Sequence, residues 1–120
     1  MPTKDIDKRI MDIIEAATLT EEFVGGMGME EFIENEMACS AVERKLQVIT
    51  ESAIAIGEEQ FNEIFSEIEL HELRGLGNRL RHEYGMIDRE QIYITATEDV
   101  PIIKKQCQAE LDRIREKKRG

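Results

Sequence analysis

The sequence has little cysteine and no long apolar run, and these two absences exclude several classes of protein. Only Cys39 and Cys107 occur among 120 residues, and they form no CxxC pair. Neither a disulfide framework nor a zinc module is therefore indicated, and both cysteines are expected as small buried residues. No apolar stretch approaches the ~20 residues of a membrane-spanning helix. Acidic residues interrupt the N-terminus, unlike a signal peptide. We expect a cytoplasmic protein that does not contact a membrane.

The sequence also lacks the strict alternation of apolar and polar residues that marks a half-buried strand, and it has no internal repeat. Apolar residues make up 41% of the chain, enough for a real core, and they recur at helical spacing. This pattern predicts an all-α fold, an antiparallel bundle of about five helices. The bundle is expected to form a single domain over residues 1–120, with a charged, frayed tail at 115–120.

Glycine residues mark the expected helix ends in the first half of the chain. Three glycines at 25–28 favour a loop, and one long helix is predicted over 29–56, with Gly57 just past its end. Met37 belongs to the apolar stripe of this long helix, and the six methionines are expected in the core. A short helix is marked by apolar residues over 61–68.

Two residues mark expected helix boundaries in the last third of the chain. Asp88 is expected to cap the N-terminus of a helix, since a side-chain oxygen there can accept a hydrogen bond from the first turn. Pro101 has no backbone N–H, so the chain must begin a new helix or kink at that residue.

Charge is distributed unevenly along the chain. The formal net charge of −10 taken alone argues against a nucleic-acid-binding protein. Residues 1–72 hold 5 basic and 18 acidic residues, a net of −13, whereas residues 73–120 hold 11 basic and 8 acidic residues, a net of +3. The excess of acid thus lies in the first part of the chain, and a phosphate can still bind where the arginines gather.

The segment 74–85 carries the unusual chemistry. It holds three arginines, one of the two histidines and one of the two tyrosines. Gly75 and Gly77 lie inside its helical pattern, where each costs ~1 kcal/mol relative to alanine. Close packing of another helix or the approach of a ligand would explain both glycines.

This residue set suits cleavage of RNA without a metal. Positions three and four apart share a helix face, which groups Asn78 with Arg81 or His82. Histidine can take the proton of a ribose 2′-OH or protonate the leaving oxygen, and arginine binds a phosphodiester through its planar fork. Arg81 is the preferred phosphate ligand, with Arg79 and Arg74 as further candidates. One chain supplies half of a site, and a symmetric homodimer would join two halves.

The residues 75–84, GLGNRLRHEY, closely resemble the signature helix of the HepT-like proteins of the HEPN superfamily. The pattern of that family is Arg-(any four)-His-X-Tyr, usually with asparagine directly after the arginine. The resemblance continues in 40–53, which is similar to the long second helix of the family, and in the C-terminal elements within 87–102.

The resemblance implies a homodimeric HEPN-like helical bundle and a metal-independent endoribonuclease that requires no cofactor. It implies the toxin of a toxin–antitoxin pair, acting on tRNA or mRNA. The antitoxin of such pairs is a minimal nucleotidyltransferase that neutralises the toxin by AMPylation of the motif tyrosine, here Tyr84. By the same resemblance His82 is the catalytic histidine, and Asn78 supports the site.

One position departs from the family pattern, because Gly77 stands where the motif has arginine. A neighbouring arginine, Arg81 first, would then supply the guanidinium. The departure also favours an alternative function: a non-catalytic helical module that binds a nucleotide or docks a nucleotidyltransferase.

Simpler roles remain open for the same residues. His82 can form a structural hydrogen bond, the three arginines can form a solvated face that pairs with the acidic part of the chain, and Tyr84 can pack at a helix end. The pair His71-Glu72 looks like a fragment of a metal site, but we predict no metal because a further ligand at suitable spacing is not evident.

Overall fold

Helices make up almost all of the computed structural model, which describes residues 3–82 and 88–119, with side chains at 6–80 and 88–119. A π-helical turn at Thr95–Asp99 joins the last two helices. The helices are α1 (Thr3–Val24), α2 (Met29–Glu34), α3 (Glu36–Ile56), α4 (Glu58–Ile64), α5 (Leu70–His82), α6 (Arg89–Ile94) and α7 (Val100–Arg119). No strand occurs within the described ranges, so the predicted all-α fold is confirmed.

Helix α1 packs against α3 and α7, and α3 in turn packs against α5. The core between these helices is aliphatic, and burial of each such side chain stabilises the fold by about 1.5–3 kcal/mol. Its fully buried members include Ile10, Ile13, Val42, Leu46, Ile49 and Ile103. Helix α5 contributes Leu70 and Leu73 to this core and carries exposed polar side chains at other positions.

The predicted long helix over 29–56 is wrong at Asn35, where α2 ends and α3 begins. Asn35 has extended backbone angles (φ −93°, ψ 94°), and its side-chain oxygen accepts a hydrogen bond from the backbone N–H of Ala38 at 2.9 Å. Asparagine is among the best N-capping residues because its short side chain reaches an unpaired N–H of the first turn. The break lets α2 turn across the bundle and bury Phe32 completely.

The same break explains why Met37 is not in the core. Because the chain leaves the helix at Asn35, the apolar stripe of α3 is not a continuation of that of α2. The buried stripe of α3 passes through positions such as Ala38, Cys39 and Val42. Met37 consequently faces solvent and is 83% exposed, and Met11 of α1 is 52% exposed. The expectation that all six methionines lie in the core is therefore wrong for these two.

Other expected helix ends are confirmed. Gly57 follows α3 with φ +96°, residues 25–28 are non-helical, and Asp88 accepts a hydrogen bond from the N–H of Glu90 at 2.9 Å. The short helix predicted over 61–68 is shifted, since α4 ends at Ile64 and the chain then turns towards α5.

We expect Gly57→Ala to lower the free energy of unfolding by about 1–3 kcal/mol, because φ +96° with ψ 151° lies in a region that is essentially restricted to glycine. Gly75→Ala is the matched control, since Gly75 lies inside a helix and alanine there should stabilise it by ~1 kcal/mol. Denaturant unfolding of the three proteins measures both values. Equal stabilities would contradict the assigned backbone conformation of Gly57.

The new helix predicted at Pro101 is confirmed to within one residue, because α7 begins at Val100 and Pro101 is its second residue. The backbone angles of Ile94, Thr95 and Val100 are helical, so α6, the π turn and α7 follow one another directly. A proline ring clashes with the carbonyl four residues earlier in a regular α-helix, and the wider π turn directly before Pro101 relieves that clash. The charged residues 115–119 continue α7 as helix.

Helix α6 is fastened to α2 and α3 by polar side chains. The guanidinium of Arg89 donates to the carbonyl of Ile33 at 2.7 Å and pairs with Glu36, while the hydroxyl of Tyr93 donates to the carbonyl of Met27 at 2.7 Å. These contacts fix the start of the rod that α6, the π turn and α7 form. The first part of that rod, α6 with the π turn, lines a cleft together with α5.

In the described parts of the chain, no helix combines the length and the apolar character that are needed to cross a membrane.

Candidate functional site

Helix α5 has one buried and one polar face. Its buried positions are Leu70, Leu73, Leu76 and Gly77, and its exposed positions are His71, Glu72, Arg74, Asn78 and Arg79. The side-chain amide of Gln47 in α3 donates to the carbonyl of Leu80 at 3.3 Å, which fastens the C-terminal half of α5 to the bundle. The polar face therefore belongs to a helix that is anchored to α3.

Arg81 and His82 are the last two residues of α5. Position 82 comes four residues after Asn78, and position 81 three residues after it, so the helical backbone places all three along one side. The side chains of Arg81 and His82 and the whole of Tyr84 lie outside the described residues, and their predicted roles stay predictions.

The structure does not bring Arg74 and Arg79 together. They lie five residues apart, roughly 140° around the helix. Arg74 borders a cleft with α4 and the turn that follows it, whereas Arg79 borders a cleft with α6 and the π turn. Among the described side chains, neither arginine forms an ion pair, so the predicted pairing with the acidic part of the chain is not found for these two.

The two glycines of α5 have different surroundings. A Cβ at Gly75 would lie 3.9 Å from the Nη1 atom of Arg79, so the guanidinium folds back over Gly75. Gly77 is buried. The position where the HepT-like motif carries arginine thus lies on the inward side of α5, while Arg74 and Arg79 reach solvent.

The cleft beside Arg79 has a volume of about 370 Å³. Helix α5 forms one wall, and α6 with the π turn forms the other. Its lining residues are Ile68, His71, Glu72, Leu73, Gly75, Leu76, Arg79, Gln91, Thr95 and Asp99. Burial raises the pKa of the Asp99 carboxyl, and the nearby negative charges of Glu72 and Glu98 raise it further.

Sequence reasoning missed the three polar residues of the second wall. Gln91, Thr95 and Asp99 follow one another at intervals of four and project from one rod, and the side-chain amide of Gln91 lies 3.4 Å from the Thr95 hydroxyl. The spacing is visible in the sequence as a polar line ahead of Pro101. What the sequence does not show is that this line faces α5.

A cluster of two carboxylates and one imidazole borders both clefts, since His71 lines each of them. Ligand atoms of Glu69, His71 and Glu72 lie within 4.8 Å of one another, and Nδ1 of His71 is 3.2 Å from a Glu69 oxygen. Glu69 thus stands next to the pair His71-Glu72. All three side chains are exposed, and exposed acidic groups commonly lie together without a metal.

The two cysteines are buried and free, as the sequence predicts. Burial raises the pKa of Cys107 to about 12 and also raises that of Cys39. Because the thiolate is the nucleophilic form, both are inert thiols near neutral pH. The thiol of Cys39 donates to the carbonyl of Phe32 at 3.1 Å, which is a packing role.

Comparison with known proteins places this helix in a family. Residues 13–110 match the family model for ribonuclease HepT-like proteins. A candidate RNase of Methanocaldococcus jannaschii is 36% identical over 108 residues, which cover 90% of this chain and 98% of the relative. A second candidate RNase of that organism is 35% identical, covering 88% of this chain and 87% of the relative.

A candidate ribonuclease HepT of Thermococcus cleftensis is 32% identical over 93 residues, covering 78% of this chain and 84% of the relative. No solved structure gives a significant match. The family match spans α5 together with the helices that support it on both sides. This chain belongs to the HepT-like ribonuclease family of the HEPN superfamily.

Proposed function

We propose that this protein is a metal-independent endoribonuclease, the toxin of a toxin–antitoxin pair that acts in the cytoplasm on tRNA or mRNA. The observation that carries the proposal is helix α5, whose exposed face holds Asn78 and leads to Arg81 and His82 in the last turn. Membership of the HepT-like ribonuclease family supports the same reaction class.

The reaction needs no group beyond the RNA and these side chains. The ribose 2′-oxygen forms a bond to the adjacent phosphorus as the bond from phosphorus to the next 5′-oxygen breaks, leaving a 2′,3′-cyclic phosphate and a 5′-hydroxyl. One His82 accepts the proton of the 2′-OH, and His82 of a second copy protonates the departing 5′-oxygen. Holding the 2′-OH beside the phosphorus makes the attack intramolecular, which accounts for much of the rate gain.

Arginine provides the positive charge that the transition state requires. Arg81 is our first choice for the phosphate, because it directly precedes His82 and shares a side of α5 with Asn78. Arg74, seven residues before Arg81, lies along the same side and can assist. Arg79 projects towards a different cleft, beside α6 and the π turn, and is not assigned to this phosphate.

A homodimer completes the site in this proposal. One α5 carries one histidine of the pair, and a two-fold axis beside the helix would set two copies face to face. The acidic residues of the first half of the chain would then weaken non-specific RNA binding and leave the paired helices as the attractive region. They also offer a surface to a basic antitoxin.

An assay with purified protein tests the reaction directly. In buffer containing EDTA, we expect cleavage of tRNA or mRNA to fragments that end in a 2′,3′-cyclic phosphate. A matched oligonucleotide with a single 2′-deoxyribose at the cleaved position should resist, because the nucleophile is missing. Cleavage that requires added Mg²⁺, or that proceeds at the 2′-deoxy position, would contradict the mechanism.

A second function is favoured by Gly77, which replaces the motif arginine and is buried. In this case the protein is a non-catalytic module that binds a nucleotide or docks a nucleotidyltransferase. The cleavage assay together with a binding measurement decides between the two functions. A protein that binds RNA or a nucleotide but forms no product over prolonged incubation is the non-catalytic module.

We also expect Tyr84 to be AMPylated by a cognate minimal nucleotidyltransferase. Incubation of the two proteins with ATP should add the mass of one AMP group to this chain, and Tyr84→Phe should abolish the addition. Tyr93→Phe is the matched control and should still gain the AMP group. The hydroxyl of Tyr93 donates a hydrogen bond to the carbonyl of Met27, so Tyr93 is not the expected site of modification. Modification of the Tyr84→Phe protein in intact-mass spectra would contradict the assignment.

A further inference from the structure

The cleft between α5 and the rod of α6 and the π turn has the size of a site for a single base. Its volume is about 370 Å³. Ligand pockets in proteins span about 300–1,000 Å³, and the low end of that range suits one nucleobase or nucleoside, not several nucleotides. The cleft adjoins the same helix that ends in Arg81 and His82. Arg79 lines the cleft and lies three residues before His82 on α5, so an RNA strand held at the end of that helix can reach the cleft.

The lining of the cleft is suited to a heterocycle and poorly suited to a phosphate. Leu73, Leu76 and Ile68 provide apolar surface against which a flat ring can pack. The charged lining consists of the Arg79 guanidinium against the carboxyls of Asp99 and Glu72, and the imidazole of His71 also lines the cleft. With two carboxyls facing one guanidinium, the cleft favours a ring that carries both donors and acceptors over a phosphate, which offers acceptors only.

We propose that this cleft binds a guanine base of the RNA, with Asp99 and Arg79 as the residues that determine base specificity. Guanine presents two adjacent donors, N1–H and the 2-amino group, which a carboxylate accepts together, and it presents O6 and N7 as acceptors for a guanidinium. Adenine has neither the N1–H nor the acceptor at position 6. The inference rests on the proposed ribonuclease function and names the base that this site selects.

The two specificity residues are placed to act from opposite walls. Arg79 folds over Gly75, which itself lines the cleft, so its guanidinium lies at the cleft wall and has no carboxylate partner among the described side chains. Asp99 projects from the π turn, two positions before Pro101. The half-buried Asp99 carboxyl has a raised pKa and lies near Glu72 and Glu98, so donors from a ligand would relieve its unfavourable surroundings.

Equilibrium binding to a His82→Ala protein, which keeps the RNA intact, tests the inference. Labelled tetranucleotides that differ at one base should bind with a preference of about 10-fold for guanine over adenine, since one well-made base contact is worth that much discrimination. Inosine, which lacks the 2-amino group, should fall between the two. Free GMP and AMP form a second arm that separates recognition of RNA from recognition of a mononucleotide.

Variants in the same background locate the effect. Asp99→Asn should abolish the preference for guanine over inosine, because asparagine presents an amide N–H where guanine presents its own donors. Arg79→Gln should reduce the preference for guanine over adenine. Asp112→Asn, at an exposed position of α7 outside the cleft, should preserve both preferences.

The outcomes separate this inference from the proposed nuclease function. Equal binding of all bases, or a guanine preference that survives in both cleft variants, overturns the cleft assignment even where the wild-type protein cleaves RNA. A guanine preference that Asp99→Asn removes supports the cleft even where no cleavage is seen. Binding of GMP as tightly as the tetranucleotide also supports guanine recognition and identifies a free nucleotide as the occupant.

Discussion

His82→Ala should lower the rate of RNA cleavage by about 10²–10⁴-fold, the range over which a positioned general acid or base accelerates proton transfer. The expected loss lies near the upper end because the proposed dimer uses two copies of the residue, one as base and one as acid. Single-turnover cleavage of the RNA that the wild-type protein cuts fastest measures the ratio. RNA binding should change little, since the phosphate and base contacts are assigned to arginine and aspartate.

Two controls make this result specific. Lys105→Ala removes a charged side chain at an exposed position of α7 and should leave the rate unchanged. Mixing the His82→Ala protein with the wild-type protein should lower the rate by more than the dilution of wild-type chains if the site is composite, because each mixed dimer then carries only one of the two His82 side chains that the mechanism uses. A His82→Ala protein as active as the wild type would exclude the assigned role.

The fold class was within reach of the sequence because helical spacing of apolar residues is a local signal. Ile10 and Ile13 of α1 and Val42 and Leu46 of α3 follow that spacing, and all four are fully buried. The break at Asn35 could not be predicted from the sequence, because asparagine is tolerated on the exposed face of a continuous helix as well as at an N-cap. Tertiary packing decides between the two, since the break is what allows Phe32 to enter the core.

The candidate site was predicted in part for the same physical reason. Helix α5 and its polar residues are contiguous in the sequence, so their grouping needed only helical periodicity. The opposite wall of the cleft, with Gln91 and Asp99, comes from a rod whose position depends on contacts such as that of Arg89 with Ile33, which are 56 residues apart. Long-range packing of this kind leaves no local signal. The different directions of Arg74 and Arg79 follow from their spacing on α5, whereas the elements that each arginine faces are again determined by packing.

Phe32→Ala should lower the free energy of unfolding by about 3–5 kcal/mol, the loss typical when a buried phenylalanine is truncated and leaves a cavity. Phe32 is fully buried, its ring centroid lies 5.4 Å from that of Tyr93, and its carbonyl accepts the thiol hydrogen of Cys39. Through its ring and its carbonyl, Phe32 therefore joins α2, α3 and α6, and surrounding atoms held by three helices have little freedom to fill the space.

Tyr93→Phe provides the matched comparison, because it removes one hydroxyl from the same cluster and keeps the ring. Loss of the hydrogen bond to the carbonyl of Met27 should cost about 0.5–1.5 kcal/mol. Urea unfolding at two protein concentrations measures both variants and separates any contribution from dimerisation, which depends on concentration. A cost below that of Tyr93→Phe would show that α2 does not hold Phe32 in the core, and the junction at Asn35 would then lose its structural purpose.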